Sequence, residues 1–508
     1  MQAMKNKIQF FFIAAAAAAA VSACDLNLEP TDAIVYEPGG QVIATAEDLQ
    51  QFEARIMSDY RAVHGGMYNI LEDVMTDGFN ASAGFGNNYG SVHRTDESFT
   101  SSDSYIDSYW ANHYIVIKDY NVLINALKDE INIPEGTSAL AKEVKGEAYM
   151  FRAEAYMNLV RHFGKNYDPA DATSLGVPIV LEFDLYARPA RNTVHEVYTQ
   201  IKEDLDSAAR FLADVTGELQ AEYPTIDAVN ALYARYYLDV KDYANAEIYA
   251  DKVIATGKYT LSNTAEKLKA ESRDDSGTEA IMQLYGSQQE SPNATSVYTS
   301  MFSSQNNGVC YRSLFLPTKK LVDGYGSSDI RKTVWFTTTD YYSEVNGSYY
   351  RGDFYTFVKY QGNSNLYSGE VPNGVQMCKP FLISEMYLIK AEAQSMQDKI
   401  PAAKTTINAL QTARGAAKTG GQIENIQNEW FLETVGEGMR WTCLKRWGLG
   451  FENREPQTGT KSKNAVMTGA NYDQRNMKPS DRAFLWPVPA DEIKLNTNLV
   501  QNPGYTNN

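Results

Sequence analysis

Histidine is scarce in this sequence, five residues in 508. His64, His93, His113, His162 and His195 fall on different predicted elements, with no spacing that suits a shared metal. Cysteine is scarcer still, at four residues. Cys310, Cys378 and Cys443 are too scattered for a metal motif and allow at most one disulfide, so they are read as buried thiols that behave as small hydrophobes. HExxH, GxSxG, a P-loop and an EF-hand loop are all missing, and Gly84-Phe-Gly86 lacks the third glycine and flanking strand of a nucleotide loop. The sequence therefore gives no catalytic residue, no metal and no cofactor. Positive charge is also in deficit: 46 Lys and Arg against 63 Asp and Glu leave a net charge of −17. Nucleic acid needs a basic footprint and anionic lipid a polybasic segment, so both are excluded as partners of such a surface.

One apolar run stands out, at the start of the chain. Lys5 and Lys7 form a short basic region, residues 8–21 are apolar with seven consecutive alanines, and Val21-Ser-Ala-Cys24 ends the run on small residues. The run is too short to span a bilayer and reads as an export signal over residues 1–23. Small residues just before a cysteine resemble a lipobox, which makes Cys24 the lipid-anchor site; a plain cleaved signal is the alternative. Losing Lys5 and Lys7 with the signal makes the rest two charges more negative. Residues 24–40 carry Asp, Glu, Pro and Gly without apolar periodicity and suit a tether. Residues 41–508 then form the domain. With 44% hydrophobic and 12% aromatic residues, it is globular.

Periodicity makes that domain mainly α, as four tetratricopeptide-like helix pairs forming a scaffold. Helical spacing runs over 49–64 and 109–127, over 144–163 and 194–212 with Thr193 as N-cap, and over 228–240 and 244–254. The fourth pair spans 381–414: Leu382, Met386, Ile389 and Ala393 share one face, and the second helix starts near Pro401 and stops by Gly415. Small residues where helices cross and aromatics where they interlock are what such a repeat requires. Residues 255–380 intervene, rich in Ser, Asn, Gly, Thr and Tyr, with β-prone runs at 333–336 and 354–360. A structureless loop of that length is improbable, so they are expected to form an irregular, loop-rich subdomain with short strands. The separation of the pairs in sequence argues against one continuous solenoid. Trp110, Trp335 and Trp441 lie in periodic runs and are assigned to the core.

The stretch 430–448 combines charge and glycine in an unusual way. If it is helical, Glu433, Glu437 and Arg440 pair along one face, which makes Glu437 and Arg440 structural and leaves Glu433 and Glu437 poor proton donors for glycoside hydrolysis. Gly436 and Gly438 each cost a helix about 1 kcal/mol, so close backbone approach is expected there.

Ser384-Glu-Met-Tyr-Leu-Ile-Lys-Ala-Glu392, then Gly436-Glu-Gly-Met-Arg440 running into Leu444-Lys-Arg-Trp-Gly448, then Pro487-Val-Pro with Glu492-Ile and Asn498-Leu-Val-Gln-Asn-Pro-Gly-Tyr505, resemble the closing signatures of the SusD/RagB family. Asp323-Gly-Tyr325 followed by Asp329-Ile-Arg331 is similar to the family's turn before a strand. Cys443 departs from the family's acidic residue and Thr434 from its leucine. The resemblance implies a lipid-anchored outer-membrane protein, facing outside, that binds a nutrient and passes it to a SusC-like TonB-dependent transporter.

Ligand contacts are expected on loops held by the scaffold. Residues 79–90 space aromatics with small and amide residues: Phe85 and Tyr89 offer flat apolar faces, while Asn80, Asn87 and Asn88 offer hydrogen bonds. Tyr285, Tyr298 and Tyr311 bracket a similar polar stretch. Such a set suits an oligosaccharide. Its alternatives are an oligopeptide held by the same lid, a surface glycoside hydrolase, and a helical scaffold for other proteins.

Overall fold

In the computed structural model, which describes residues 43–507 apart from 129–132, 295–296, 305–307, 339–341 and 370, the chain opens on a capped helix. Thr45 accepts from the Asp48 amide and the Asp48 carboxylate accepts from the Thr45 amide, a capping box that starts α1 (Ala46–Ala62). The expected signal, Cys24 and the tether lie outside the described residues. After α2 (Met67–Val74) come β1 (Phe79–Ala81), the single-turn α3 (Gly90–Arg94) and two long helices, α4 (Ser104–Ala126) and α5 (Ser138–Phe163). A second capping box, Thr193 with Glu196, starts α6 (Val194–Phe211). Thr225 and Asp242 cap α7 (Ile226–Asp239) and α8 (Tyr243–Ile254).

Residues 255–380 hold α9 (Ala265–Arg273), β2 (Ala280–Met282), β3 (Ser300–Ser304), β4 (Gly308–Arg312), β5 (Phe315–Pro317), α10 (Lys319–Asp323) and α11 (Ile330–Trp335). They continue through β6 (Phe336–Thr337), β7 (Tyr342–Val345), β8 (Ser348–Tyr350) and β9 (Thr356–Phe357). The main sheet has the order β3-β4-β7-β8, parallel only between β4 and β7, and β1 pairs with β5. Two expectations fail locally. Residues 333–335 are the end of a helix rather than a strand, because Asp329 caps α11 through the Arg331 amide; the turn at Asp329 thus precedes a helix. Of 354–360, only Thr356–Phe357 pairs.

Helix returns with β10 (Phe381–Leu382), which pairs with β2, and α12 (Ile383–Met396), α13 (Ile400–Ala413), α14 (Ile423–Glu433) and α15 (Arg440–Trp447). Pro401 sits in the first turn of α13, and Gly415, at φ +64°, lies just beyond its end.

The fold is mainly helical and the helices do stack as one series. α4 packs on α5, α5 on α6, α6 on α7, α7 on α8, α8 on α12 and α12 on α13. Sequence separation was no obstacle, because the β2–β10 pairing closes residues 283–380 into a side excursion and the chain returns beside α8. Small residues allow the close crossings. A Cβ on Gly146 of α5 would stand 2.7 Å from Leu212, and Ala228, Ala231, Ala234, Ala246, Ala250, Ala391 and Ala393 are fully buried. The excursion has no separate main core: Leu268, Phe315 and Trp335 belong to the same buried cluster as Leu388 and Trp441. Each such large apolar side chain contributes on the order of 1.5–3 kcal/mol by leaving water. No helix of the described residues is long and apolar enough to cross a membrane.

Candidate functional site

The turn after Glu433 sets the geometry of the site. α14 ends at Glu433 and α15 begins at Arg440; between them Gly436 and Gly438 take φ +81° and +68°. A Cβ on Gly438 would stand 2.5 Å from the Asn69 Cα, so the turn can lie against α2 only where there is no side chain. The expected close approach is there, but the expected Glu437–Arg440 pairing is not, since the helix that would align them stops. Arg440 instead grips Asp77 with two bonds of 2.8 and 2.9 Å. Glu437 accepts from Lys359 at 2.6 Å.

Behind that turn lies a buried lattice of charge. Arg331, wholly inaccessible, donates to Asp329, to Glu429 at 2.6 Å and to Glu433 at 2.8 Å. Arg414 donates to Glu279 at 2.8 and 2.9 Å, to the Ser262 carbonyl at 2.8 Å and to Glu433. Burial works to raise the Glu433 carboxyl, but Arg414 and Arg331 outweigh it and hold its pKa at about 2. A second cluster repeats the device. Arg235 binds Glu385 at 2.6 and 2.7 Å and Glu154 at 3.0 Å, and Tyr60 also donates to Glu154. Burial again pushes Glu154 up, while His64, Arg235 and Tyr60 pull it down to about 2. Paired and hydrogen-bonded charges of this kind fix side-chain positions more than they add stability.

These two clusters form walls of a cavity of about 200 Å³, bounded by the end of α1, by α2, α5, α7 and α12, and by residues 376–380 and 437–446. Every acidic or basic side chain that lines it has an internal partner. Besides those above, Arg161 pairs with Asp239, Lys379 with Asp275 and Arg446 with Glu392; Glu72 accepts from Thr442, and Glu271 from the Glu279 amide. Some neutral groups, such as Tyr68, Asn293 and Thr442, are partnered too, but others are not. Asn69, Asn158, Tyr360 and Gln376 line the same space. Their side chains donate to no partner and accept from none among the described residues. Trp335 and Trp430, almost wholly buried, back the wall.

Residues 41–238 match a SusD-like family model described as starch-binding and associating with the outer membrane, and residues 381–505 match the model of the SusD family. The chain belongs to the SusD/RagB family. Solved structures share this SusD/RagB fold. A Bacteroides vulgatus ATCC 8482 protein is 24% identical, with 92% of this chain and 100% of that one covered at a TM-score of 0.75. A SusD superfamily protein from Bacteroides thetaiotaomicron VPI-5482 is 23% identical, with 90% and 100% covered at 0.73. A laminarin-binding SusD-like protein is 19% identical, with 91% and 100% covered at 0.68. No curated protein matches the sequence. The cavity joins both matched regions of this SusD/RagB chain, since Asn69 and Asn158 come from the first and Glu385, Glu433 and Glu437 from the second.

The residues expected to hold ligand lie elsewhere, and several are buried. Asn80 is 1% exposed, because β1 pairs with β5 on the main core. Phe85, 5% exposed, meets Phe315 and Tyr472 edge to face. Tyr298 is 1% exposed and donates to Asp73, and Tyr311 is buried on β4. These four rings and amides present no face to a ligand in this conformation: strand pairing turns Asn80 and Tyr311 inward, while Phe85 and Tyr298, in loop and turn, are buried by ring packing. Asn87 and Asn88 are exposed, though Asn87 accepts from Arg94 and Asn88 donates to the Phe85 carbonyl. Tyr89 is half-buried and stacked on Tyr105 at 4.4 Å, and Tyr285 is exposed. Trp110, Trp335 and Trp441 are core, Cys310 is buried, and Cys378 and Cys443 are free thiols. Asn69, Asn158, Tyr360 and Gln376 were not among the residues expected from the sequence. The one available signal was their place beside Gly436, Gly438 and the α12 signature, and it becomes visible only once these segments meet.

Proposed function

We propose that this chain is a surface lipoprotein, anchored through Cys24, that captures an oligosaccharide in the central cavity and delivers it to a SusC-like TonB-dependent outer-membrane transporter. The observation that carries the reading is the cavity itself: a rigid, charge-locked frame that leaves amides and a phenol free for hydrogen bonds. The family description, starch-binding and associating with the outer membrane, supports it, as does the laminarin-binding relative. The export signal and lipobox-like run support the anchor. A binder needs positioned polar groups in a mostly preformed concavity; it needs no proton donor, and Glu433, held ionised by two arginines, is unsuited to be one. Asn87, Asn88, Tyr89 and Tyr285 serve on this reading as outer contacts for the part of the chain that protrudes.

Isothermal titration of the purified chain against an oligosaccharide panel and a mixed tryptic digest tests the ligand. Binding to oligosaccharide is expected, and binding only to the digest replaces glycan by peptide. Extraction of the matching membrane in mild detergent should bring down a large β-barrel with the protein, and recovery of free lipoprotein alone counts against delivery. Cys24→Ala should abolish acylation and release the protein from the outer membrane.

A further inference from the structure

The hydrogen-bonding state of the cavity wall carries the glycan reading one step further, to the kind of glycan. We infer that the cavity is a neutral-sugar site in which Asn69, Asn158, Tyr360 and Gln376 make the contacts, and that it discriminates against units bearing carboxylate, sulfate or amine. The inference rests on the glycan reading above and adds to it a charge class and a residue set.

Two observations support it. First, all the lining charges are already used. Arg161, Arg235, Arg414, Arg446, Lys359 and Lys379 each hold a carboxylate at 3.0 Å or closer. A charged ligand would have to break one of these pairs to gain a counter-charge, and removal of one partner from a buried pair is strongly destabilising. Asp239 and Glu437 each keep one oxygen without a hydrogen-bond partner but are neutralised by Arg161 and Lys359, and Glu271, without an ion pair among the described residues, also has an oxygen to spare. That oxygen is sealed from the cavity as well as unpartnered, and burial raises the pKa of the group, which favours the uncharged acid. Carboxylates also outnumber cations in the lining, so an anionic sugar meets a repulsive wall.

Second, the free groups are neutral and of matched chemistry. Two asparagine amides can each donate and accept, and the Tyr360 hydroxyl does both. The Gln376 amide nitrogen donates, its oxygen being sealed like that of Glu271. Sugar hydroxyls are donors and acceptors in the same measure. Asn69, Asn158, Tyr360 and the Gln376 nitrogen are open to water, and a ring bearing several hydroxyls can replace that water at more of these groups at once than a peptide end. Trp335 and Trp430, almost wholly buried, back the wall behind them. The volume, about 200 Å³, falls below the ~300–1,000 Å³ of pockets that enclose a whole drug-sized ligand, so the site encloses a short stretch of a longer chain.

The test is titration of the full mature chain with maltohexaose, laminarihexaose, cellohexaose, xylohexaose and mannohexaose, alongside a galacturonic acid hexamer, a chitosan hexamer and a tryptic digest. The same titrations are made for Asn158→Ala, Asn69→Ala and Tyr360→Phe, with melting temperature as the check on folding. Expected is binding of at least one neutral hexamer, no comparable binding of the charged probes, and a loss of roughly 2- to 10-fold for each variant at unchanged melting temperature, the range of a single net hydrogen bond. Preference for the charged hexamers overturns the inference. Neutral binding that all three folded variants retain in full also overturns it, while leaving the glycan reading intact. Binding of the digest alone, or of nothing offered, removes the glycan reading and the inference together. Tyr360→Phe keeps the ring and its packing, so it reports on the hydroxyl even if an asparagine variant folds poorly.

Discussion

The wall behind Arg414 and the loop over residues 85–94 are both dense in polar and aromatic residues, yet they use them in opposite ways. Around Arg414 the charged groups are inside and matched: Arg331, Arg414, Glu279 and Glu433 are all nearly inaccessible and bound to one another. In the loop the polar groups are outside and tied to their neighbours, with Asn87 on Arg94 and Asn88 on the Phe85 carbonyl, while Phe85 turns inward. The first arrangement yields a stiff surface on which a few neutral groups remain free. The second yields a stable loop with little left to offer. The two regions thus differ in which hydrogen bonds remain unmade, rather than in which residue types are present.

The sharpest way to break that contrast is to remove one corner of the lattice. Glu433→Gln leaves Arg414 with Glu279 and Arg331 with Asp329 and Glu429, but strands part of each charge, and a loss of about 3–5 kcal/mol is expected from chemical denaturation. The pH dependence follows from the lowered Glu433 pKa. Its contribution is complete above the ordinary value of 4.5 and is lost as pH falls through about 2, so the acid limb of the stability curve should flatten in the variant. An unchanged denaturation midpoint would show that the lattice is ornamental.

Asp73, which meets the turn after Glu433 at the Gly438 amide, makes the converse point. It is buried without a salt bridge among the described residues, accepting from Tyr298 at 3.2 Å and from the Gly438 amide at 3.4 Å. Burial pushes its pKa from 3.8 up to about 7. The folded state therefore keeps a proton that the unfolded chain has lost, and stability declines as pH rises from about 4 to about 7. Asp73→Asn should remove that slope and gain on the order of 4 kcal/mol above pH 7, read from denaturation curves across the window. An equal slope in both proteins would assign the decline to another group.

A smaller effect is expected at the turn itself. Gly438→Ala places a Cβ at φ +68° and 2.5 Å from the Asn69 Cα, which should cost about 2 kcal/mol. Because Asn69 lies on the cavity side of that contact, ligand affinity should drop along with melting temperature. A stability loss with full affinity would separate the turn from the site.

How much of this was legible beforehand depends on range. The helices were readable because their signals are local: Thr193 with Glu196, Pro401 and the small residues of α7 and α12 need only near neighbours in sequence. Gly436 and Gly438 announced a close approach but not its target, since Asn69 is far away along the chain. The partners of Glu437 and Arg440 were misassigned for the same reason. Lys359 and Asp77 come from distant segments, and a helix assumed through 434–439 supplied a nearer, false partner. Asn80 and Tyr311 were placed in loops by composition, whereas pairing of β1 with β5 and of β3 with β4 buried them; Phe85 and Tyr298 do lie outside strands but pack their rings inward. Register in short strands is decided by the partner strand, which a local reading cannot see.

The smallest effect is expected at Tyr89, and it decides whether the loop has any share in binding. The residue adopts φ +53°, rare for a bulky side chain, and strained backbone of this kind persists only where its surroundings enforce it. Its ring stacks on Tyr105 at 4.4 Å and an interplanar angle of 18°. One face is thereby occupied and only the other is open to a sugar. Tyr89→Ala should lower melting temperature slightly through the lost stack, worth about 0.5–1.5 kcal/mol, and weaken glycan binding no more than the cavity variants do. Tyr105→Ala supplies the control, because it removes the same stack while leaving the Tyr89 hydroxyl. If Tyr89→Ala alone abolishes binding while Asn158→Ala and Tyr360→Phe do not, the loop is the principal ligand surface, the strain at Tyr89 is there to present its ring, and the cavity is a structural void.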